Sequence, residues 1–435
     1  MVDLRLPKAT PLVTALVLFA LICLYSWSNL FVVLPKDQMW DRHQYLTMAE
    51  GHADVVVKPF TKRILHPLLA GFLSRSLDVP VRDSFFGLAF PLLAILIGST
   101  IGILHKSSVP VWLAFPIIFS PYFSLIFSDF LMHDLLFSAL AAFLFLLLVS
   151  GKHLAALGVL FLLFLTREAT LLLSLLLVGL GLYRRRFVFA VMVAVVSVAG
   201  LWVVSRLSGH GLSNIHGLGE APFMMAKFVY NFSANFLGVN LWVNTYHSCE
   251  PSVVWNVPPW MPAGMIRQAG FCSFDFLQPV HTFGRMFTIF GIGPGLAATL
   301  LVKRGRVFMR GADFWLLACL TFGLASFLLG PCLGPGGYRL MGYGSPAFAL
   351  AGPVLLISFF CLSKRPAVEI LVIHLVLTWL PFLTTDFRSR SLLFGPDAEK
   401  TILFLVGLTG QILAWRILKK SLLSHSAGSP AQSPS

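Results

Sequence analysis

Charge is what this sequence has least of. Asp, Glu, Lys and Arg make up 11% of its 435 residues, hydrophobic residues 57%, and the mean hydropathy is +0.83. Apolar content on that scale excludes a soluble domain. Acids are scarcest, 18 against 32 Lys and Arg, which leaves a net charge of +14. That excess does not indicate nucleic acid, because many of the cations sit in short clusters between apolar runs. Such clusters report orientation in a bilayer. Strand-like alternation is missing from the apolar runs, which excludes a membrane barrel. Walker and dinucleotide-binding sequences are missing too.

What is present reads as helix. Uncharged runs of about 20 residues match the ~30 Å of a hydrocarbon core. They fall at roughly 10–34, 84–104, 110–128, 131–150, 187–205, 283–302, 313–333, 345–362, 367–385 and 400–418. The first is too long for a cleaved signal peptide and reads as a retained signal anchor. The stretch 154–182 would, as one helix, put "GKH" (151–153) and "YRRR" (183–186) on opposite sides. Broken at "TREAT" (166–170), it puts both on one side with Arg5, Lys8, Lys106, "KRGR" (303–306), Lys364, Arg365, Lys419 and Lys420. The expectation is an all-α, multi-pass membrane protein of about twelve segments with both termini cytoplasmic. Residues 1–420 form one transmembrane domain, and the Ser/Pro-rich 421–435 a disordered tail.

Two long loops, 35–83 and 206–282, then face the periplasm or lumen, and nearly all the acids lie on that side. Loops of that length are usually functional. The first contains "MWDRHQYLTMAEG" (39–51) and "PFTKRILHPLLAGFL" (59–73). Asp41 with Gln44 has capping-box spacing; the functional alternative for Asp41 is a general base. Tyr45 and Met48 lie one turn apart, suited to docking on the membrane interface. The second stretch reads as an interfacial helix with Ile64, Leu65, Leu68, Leu69 and Phe72 as its apolar face. Lys62, Arg63 and His66 stand at its start, where free N–H groups favour anions, although cations also snorkel there.

Arg167 and Glu168 interrupt an apolar stretch at a depth that penalises charge, so they belong at its outer mouth. Arg167 suits a phosphate, or else a salt bridge to Asp129 or Asp134. Asp129, His133 and Asp134 are metal-ligand types without a fourth partner, so no cofactor is expected and a divalent cation has no further support. "GPGGYRLMGYGSP" (334–346) is a Gly-rich outer loop carrying Arg339 and two tyrosines, of which Tyr338 is the candidate, and its backbone can approach an anion.

These motifs resemble the first lumenal loop of the GT-C superfamily, integral-membrane glycosyltransferases that use lipid-phosphate-linked sugars. Its members commonly carry an acid shortly after the first helix, a short Tyr-containing helix, then an Arg near a Pro-Leu run. Asp41, Tyr45, Arg63 and Pro67 match. "FSDF" (127–130) and "LTREATLLL" (165–173) resemble the family's later acidic turn and Thr-Arg break, so the likeness covers about the first 190 residues. The family's acidic pair is often Asp-X-Asp or Glu-X-Asp, whereas Asp37 and Asp41 stand four apart. The resemblance implies a polyprenyl-phosphate-linked sugar donor, a glycan, lipid or protein acceptor, and Asp41 as base. It sets Tyr45, Arg63, His66, Arg167, Glu168, Tyr338 and Arg339 around the substrate. The competing class is a transporter or lipid flippase, which the broken helix suits, though no inverted repeat is visible.

In the second loop, apolar residues 221–243 carry Lys227, Asn231 and Asn235 at every fourth position. One polar stripe reads as a helix lying on the membrane. Trp242, Trp255 and Trp260 serve as interface anchors or as stacking faces for sugars. Cys249 and Cys272 share this loop in an oxidising compartment, and a disulfide is expected. Cys23, Cys319, Cys332 and Cys361 lie in or beside apolar spans and read as buried thiols. The sequon at Asn231 lies on the same helix and is not expected to be used.

Overall fold

A computed structural model describes residues 10–32, 40–57, 60–208, 220–243, 249–257, 267–300, 311–332, 342–383 and 395–427. The chain opens with α1 (Pro11–Val32), and the first loop holds α2 (Trp40–Ala49) and α3 (Leu65–Leu77). Then come α4 (Val81–Lys106), α5 (Phe115–Ile118), α6 (Pro121–Ser128), α7 (Asp134–Val149), α8 (His153–Phe164), α9 (Thr170–Tyr183) and α10 (Phe187–Leu207). The second loop holds α11 (Glu220–Phe232) and strands β1 (Val239–Val243), β2 (Val253–Asn256) and β3 (Gln268–Phe274). The chain closes with α12 (Leu277–Phe290), α13 (Phe314–Leu329), α14 (Ser345–Val354), α15 (Lys364–Leu383) and α16 (Pro396–Ala427).

The protein is mostly helical, as its composition requires. Among the described residues, Val81–Lys106, Phe187–Leu207, Phe314–Cys332 and Asp397–Ser421 are each long and apolar enough to cross a membrane. Pro11–Trp27, Asp134–Val149, His153–Phe164, Thr170–Tyr183 and Ser345–Phe359 are apolar but shorter. The expected single span at 110–128 is instead two pieces bent by 70°. Pro121 opens α6, and a residue before proline avoids the helical region. Ser120 is accordingly extended, and the helix breaks there. At the other end of the chain, α16 runs on to Ala427, into the segment expected to be a disordered tail.

Residues 154–182 form a hairpin. Its strut is α10, whose Ala190 lies against Gly181 of α9 and whose Gly200 lies against Phe164 of α8. His153, at the start of α8, packs its ring on Phe189 with centroids 5.4 Å apart. The start of α8 and the end of α9 therefore share one end of α10, and the break at 165–169 lies at the other. "GKH" and "YRRR" lie at the same end of the hairpin.

The second loop departs most from expectation. The stretch read as one helix over 221–243 ends in a π-turn at Ser233–Leu237, reverses at Gly238 and continues as β1. Gly238 adopts a left-handed conformation (φ 69°). A Cβ on it would lie 2.4 Å from the Asp275 carbonyl oxygen, so only glycine allows the reversal. β1 and β2 both pair antiparallel with β3, in the order β1-β3-β2. A disulfide joins Cys249 to Cys272 of β3. Ala226 of α11 packs with Leu241 and Val243 of β1 in a small separate core. Hydrophobic periodicity missed these strands because they are short and packed by one helix.

Two helices turn large apolar side chains outward. On α3, His66, Pro67, Ala70 and Gly71 are buried, while Leu68 and Phe72 are exposed. On α11, Asn231 is buried, while Met224, Met225, Phe228 and Phe232 are exposed. Asn231 donates to the Lys227 carbonyl, Asn235 to the Pro331 carbonyl, and Gln278 to Asn235 Oδ1. Asn235, just past the helix, ties this segment to Pro331 and Gln278, and the apolar side of α11 faces outward. The Asn231 amide is left buried, where no glycan fits.

The hairpin gives a direct expectation for labelling. Cysteines placed at Lys152 and at Arg185 should react with an impermeant thiol reagent from the same side of the membrane. A cysteine at Glu168 should react from the opposite side. Opposite-side labelling of 152 and 185 would mean that α8 and α9 cross as one helix.

Candidate functional site

The first loop meets the tip of the hairpin. The Leu65 N–H donates to the Leu165 carbonyl at 2.9 Å, which ties the start of α3 to the break. At the break, the Thr166 hydroxyl donates to the Leu162 carbonyl at 2.9 Å and Thr170 to Leu163 at 2.8 Å. The Leu163 carbonyl also accepts from the Thr166 and Arg167 N–H groups at 3.0 Å each, so the carbonyls at the interrupted helix end are satisfied locally. With them satisfied, Arg167 and Glu168 sit at the end of the bundle and not along a span.

Two arginines converge there. Arg63 donates through Nη1 to the Tyr45 hydroxyl at 2.9 Å and through Nε to Glu168 Oε2 at 3.3 Å. Its guanidinium lies over the Phe60 ring, 5.4 Å from the centroid. Arg167 is buried, with its guanidinium 4.1 Å from the centroid of Tyr343. Its Nη1 donates to Asp134 Oδ1 at 3.3 Å and to His133 Nε2. Because arginine only donates, His133 is the acceptor in this contact, through Nε2. Asp134 also accepts from the Tyr343 hydroxyl. The rings of Tyr45 and His133, 5.3 Å apart, join the two halves.

Asp129, His133 and Asp134 do not act as one group. Asp129 takes both oxygens to Arg42, at 2.8 Å each, while His133 and Asp134 serve Arg167. Of the two salt bridges expected for Arg167, the structure makes the one to Asp134. The capping box is not made either. Asp41 lies inside the first turn of α2, and Gln44 accepts from the Val57 N–H at 3.0 Å.

Asp41 is half-buried and lies one turn before Tyr45, on the helix face that meets Arg63 and His133. Tyr338, Arg339 and Asp37 lie outside the described residues. Tyr343, from the same Gly-rich stretch, is buried in the site. Its signal was the loop itself, in which both tyrosines are visible and the sequence points to Tyr338. The second residue missed is Lys227 of α11, whose ammonium feels Arg63, Arg167, Glu168 and Asp41. It stood in the sequence as one member of a polar stripe.

The cations crowd one another. Burial lowers Arg167, Arg63 lowers it further, and Asp134 and Glu168 offset only part of this, so it lies below its ordinary value. Lys227 is lowered by burial and then by both arginines. Burial would raise Glu168, but Arg63 and Arg167 hold it below the usual carboxylate range. Arg63 is the exception: burial opposes its charge, but Glu168, Tyr45 and Asp134 together raise it. A further anion at this place would relieve the repulsion that the neighbouring carboxylates leave on Arg167 and Lys227.

His66 is buried 4.8 Å from the Phe85 ring centroid, and its Nδ1 has no hydrogen-bond partner among the described residues. Burial pulls its imidazole down to about 4, against the attraction of Asp134. Between that value and the ordinary ~6.5, the unfolded chain binds a proton that the folded chain refuses. Stability therefore rises with pH across the window and is lost as pH falls through it. His66→Gln should remove about 2 kcal/mol of the stability difference between pH 7 and pH 5, read from unfolding in detergent. His281, also pulled down to about 4 by burial and then Arg285, leaves a residual slope. An unchanged pH dependence in the variant would show that His66 is not held neutral.

Compared with known protein families, characterised proteins and solved structures, the chain matches none at a significant level.

Proposed function

We propose that this protein is an integral-membrane glycosyltransferase of the GT-C type. It moves a sugar from a lipid-phosphate-linked donor to a glycan, lipid or protein acceptor on the periplasmic or lumenal side. One observation carries the reading: Arg63, Arg167 and Lys227, from three separate parts of the chain, crowd together beside the helix of Asp41. Arg167 and Lys227, whose charges the neighbouring carboxylates only partly offset, suit a further anion that arrives through the bilayer at the end of an apolar bundle. A lipid phosphate is such an anion. The outward apolar faces of α3 and α11 put lipid at the edge of the same site.

In this reading the arginines hold the donor phosphate, and Arg167 is kept in place by Asp134, His133 and Tyr343. Asp41 takes the proton of the acceptor hydroxyl as its oxygen bonds to the anomeric carbon. The bond from that carbon to the phosphate oxygen breaks, and the lipid phosphate leaves with the electron pair. Fixed cations that stabilise the leaving group are the larger contribution, and the base supplies the remainder. The about twelve membrane segments and cytoplasmic termini belong to this proposal.

A transporter or flippase is the second reading, favoured by the 70° bend between α5 and α6. Mass spectrometry of lipid-linked sugars and glycans, with and without the gene, separates the two. A transferase predicts loss of one glycosylated product and build-up of its lipid-linked donor. For the base, Asp41→Asn should keep the unfolding midpoint and lower transfer about 10²–10⁴-fold. Full transfer by that variant would remove Asp41 from the chemistry.

A further inference from the structure

At the opposite end of the bundle from this site, we infer a binding site for an anionic phospholipid headgroup at the α9–α10 turn, built on Arg185, Arg186 and Lys152. The inference goes beyond the glycosyl-transfer reading and does not depend on it.

Two turns of the same type meet there. After α7, Gly151 is left-handed (φ 70°), and the Lys152 N–H closes on the Leu147 carbonyl at 2.9 Å. After α9, Arg185 holds the same position with φ 57°, and the Arg186 N–H closes on the Gly181 carbonyl at 2.7 Å. This helix ending favours glycine, because a Cβ in the left-handed region is strained. The first turn uses glycine and the second spends backbone energy on an arginine. That arginine makes no ion pair among the described residues, and its side chain is exposed.

Its neighbours are arranged for the same partner. The Arg186 guanidinium lies over Phe314, 5.1 Å from the centroid. Arg184 donates to the Ala312 carbonyl, which fixes the turn against the start of α13. His153 on Phe189 brings Lys152 to the same place. Asp313, the acid nearest in sequence to these contacts, forms no ion pair among the described residues. Tyr183, Phe187, Val188 and Leu154 beside the cations are more than half exposed, a surface for acyl chains. Uncompensated guanidiniums bordered by exposed apolar side chains fit a lipid with a negative headgroup better than a soluble anion.

The test is thermal unfolding of the full chain in neutral detergent with phosphatidylglycerol or phosphatidylcholine added at equal mole fraction. Phosphatidylglycerol should raise the midpoint by about 3 °C or more above phosphatidylcholine. Arg185→Gly should match or exceed the native midpoint in phosphatidylcholine, since it relaxes the backbone, yet lose at least half of the phosphatidylglycerol increment. Arg186→Gln with Lys152→Gln should lose it as well. Equal midpoints in the two lipids would overturn the site, and so would a full increment in Arg185→Gly. Soluble glycerol phosphate matching phosphatidylglycerol would overturn the assignment to lipid.

Discussion

An arginine carried by an apolar chain segment has to find an opposite charge and a polar outlet, or the segment will not settle in a bilayer. Arg167 meets that requirement through the break at 165–169. The break lifts it to the end of the bundle, where Asp134, His133 and the Tyr343 ring receive its guanidinium. Much of the structure follows from this contact. α8 and α9 become a hairpin, the two basic turns fall on one side, and the hairpin tip becomes the surface on which the first loop docks. The same contact draws in Tyr343 from far along the chain, so the Gly-rich loop ends inside the site.

The site is built from loops because the bundle itself has few polar atoms to offer. α3 buries His66 and α11 buries Asn231, while Leu68 and Phe72 of α3 and Met224, Met225, Phe228 and Phe232 of α11 face outward. In water this would be an inverted arrangement; next to lipid it is the stable one, since hydrocarbon satisfies apolar side chains but not amides. Gly71 lets α3 approach closely, because a Cβ there would lie 2.3 Å from the Ala49 carbonyl oxygen of α2. Arg63 is thereby held between Tyr45 on one side and Glu168 on the other. The disulfide-closed sheet packs on α11, the helix that carries Lys227.

Much of the helical framework was legible from hydropathy, since a lipid environment leaves a long-range signal in composition. The hairpin was legible from charge alone, because "GKH" and "YRRR" had to share a side. The bend at Ser120 was less so: Pro121 announces it only to a reading that weighs one proline against the long apolar run 110–128. The strands were hidden because the residues of β1 continue the apolar pattern of α11, and the change of state rests on Gly238. Within the site, Arg63, Arg167 and Glu168 were found because charge in apolar surroundings is conspicuous. Lys227 and Tyr343 were not, because neither differs locally from an interfacial lysine or a loop tyrosine.

By itself, then, the sequence determined that the chain is mostly helical with apolar helices long enough to cross a membrane, that 154–182 is broken, and which charges stand out. Those are properties of composition and spacing, which act along the chain. Only the tertiary structure decided the partners: Asp129 for Arg42, Asp134 for Arg167, Tyr45 and Glu168 for Arg63. It also turned the stripe of α11 inward and brought Lys227 to the arginines. Pairing of this kind depends on which helices pack together and at what height, and no local pattern carries that information.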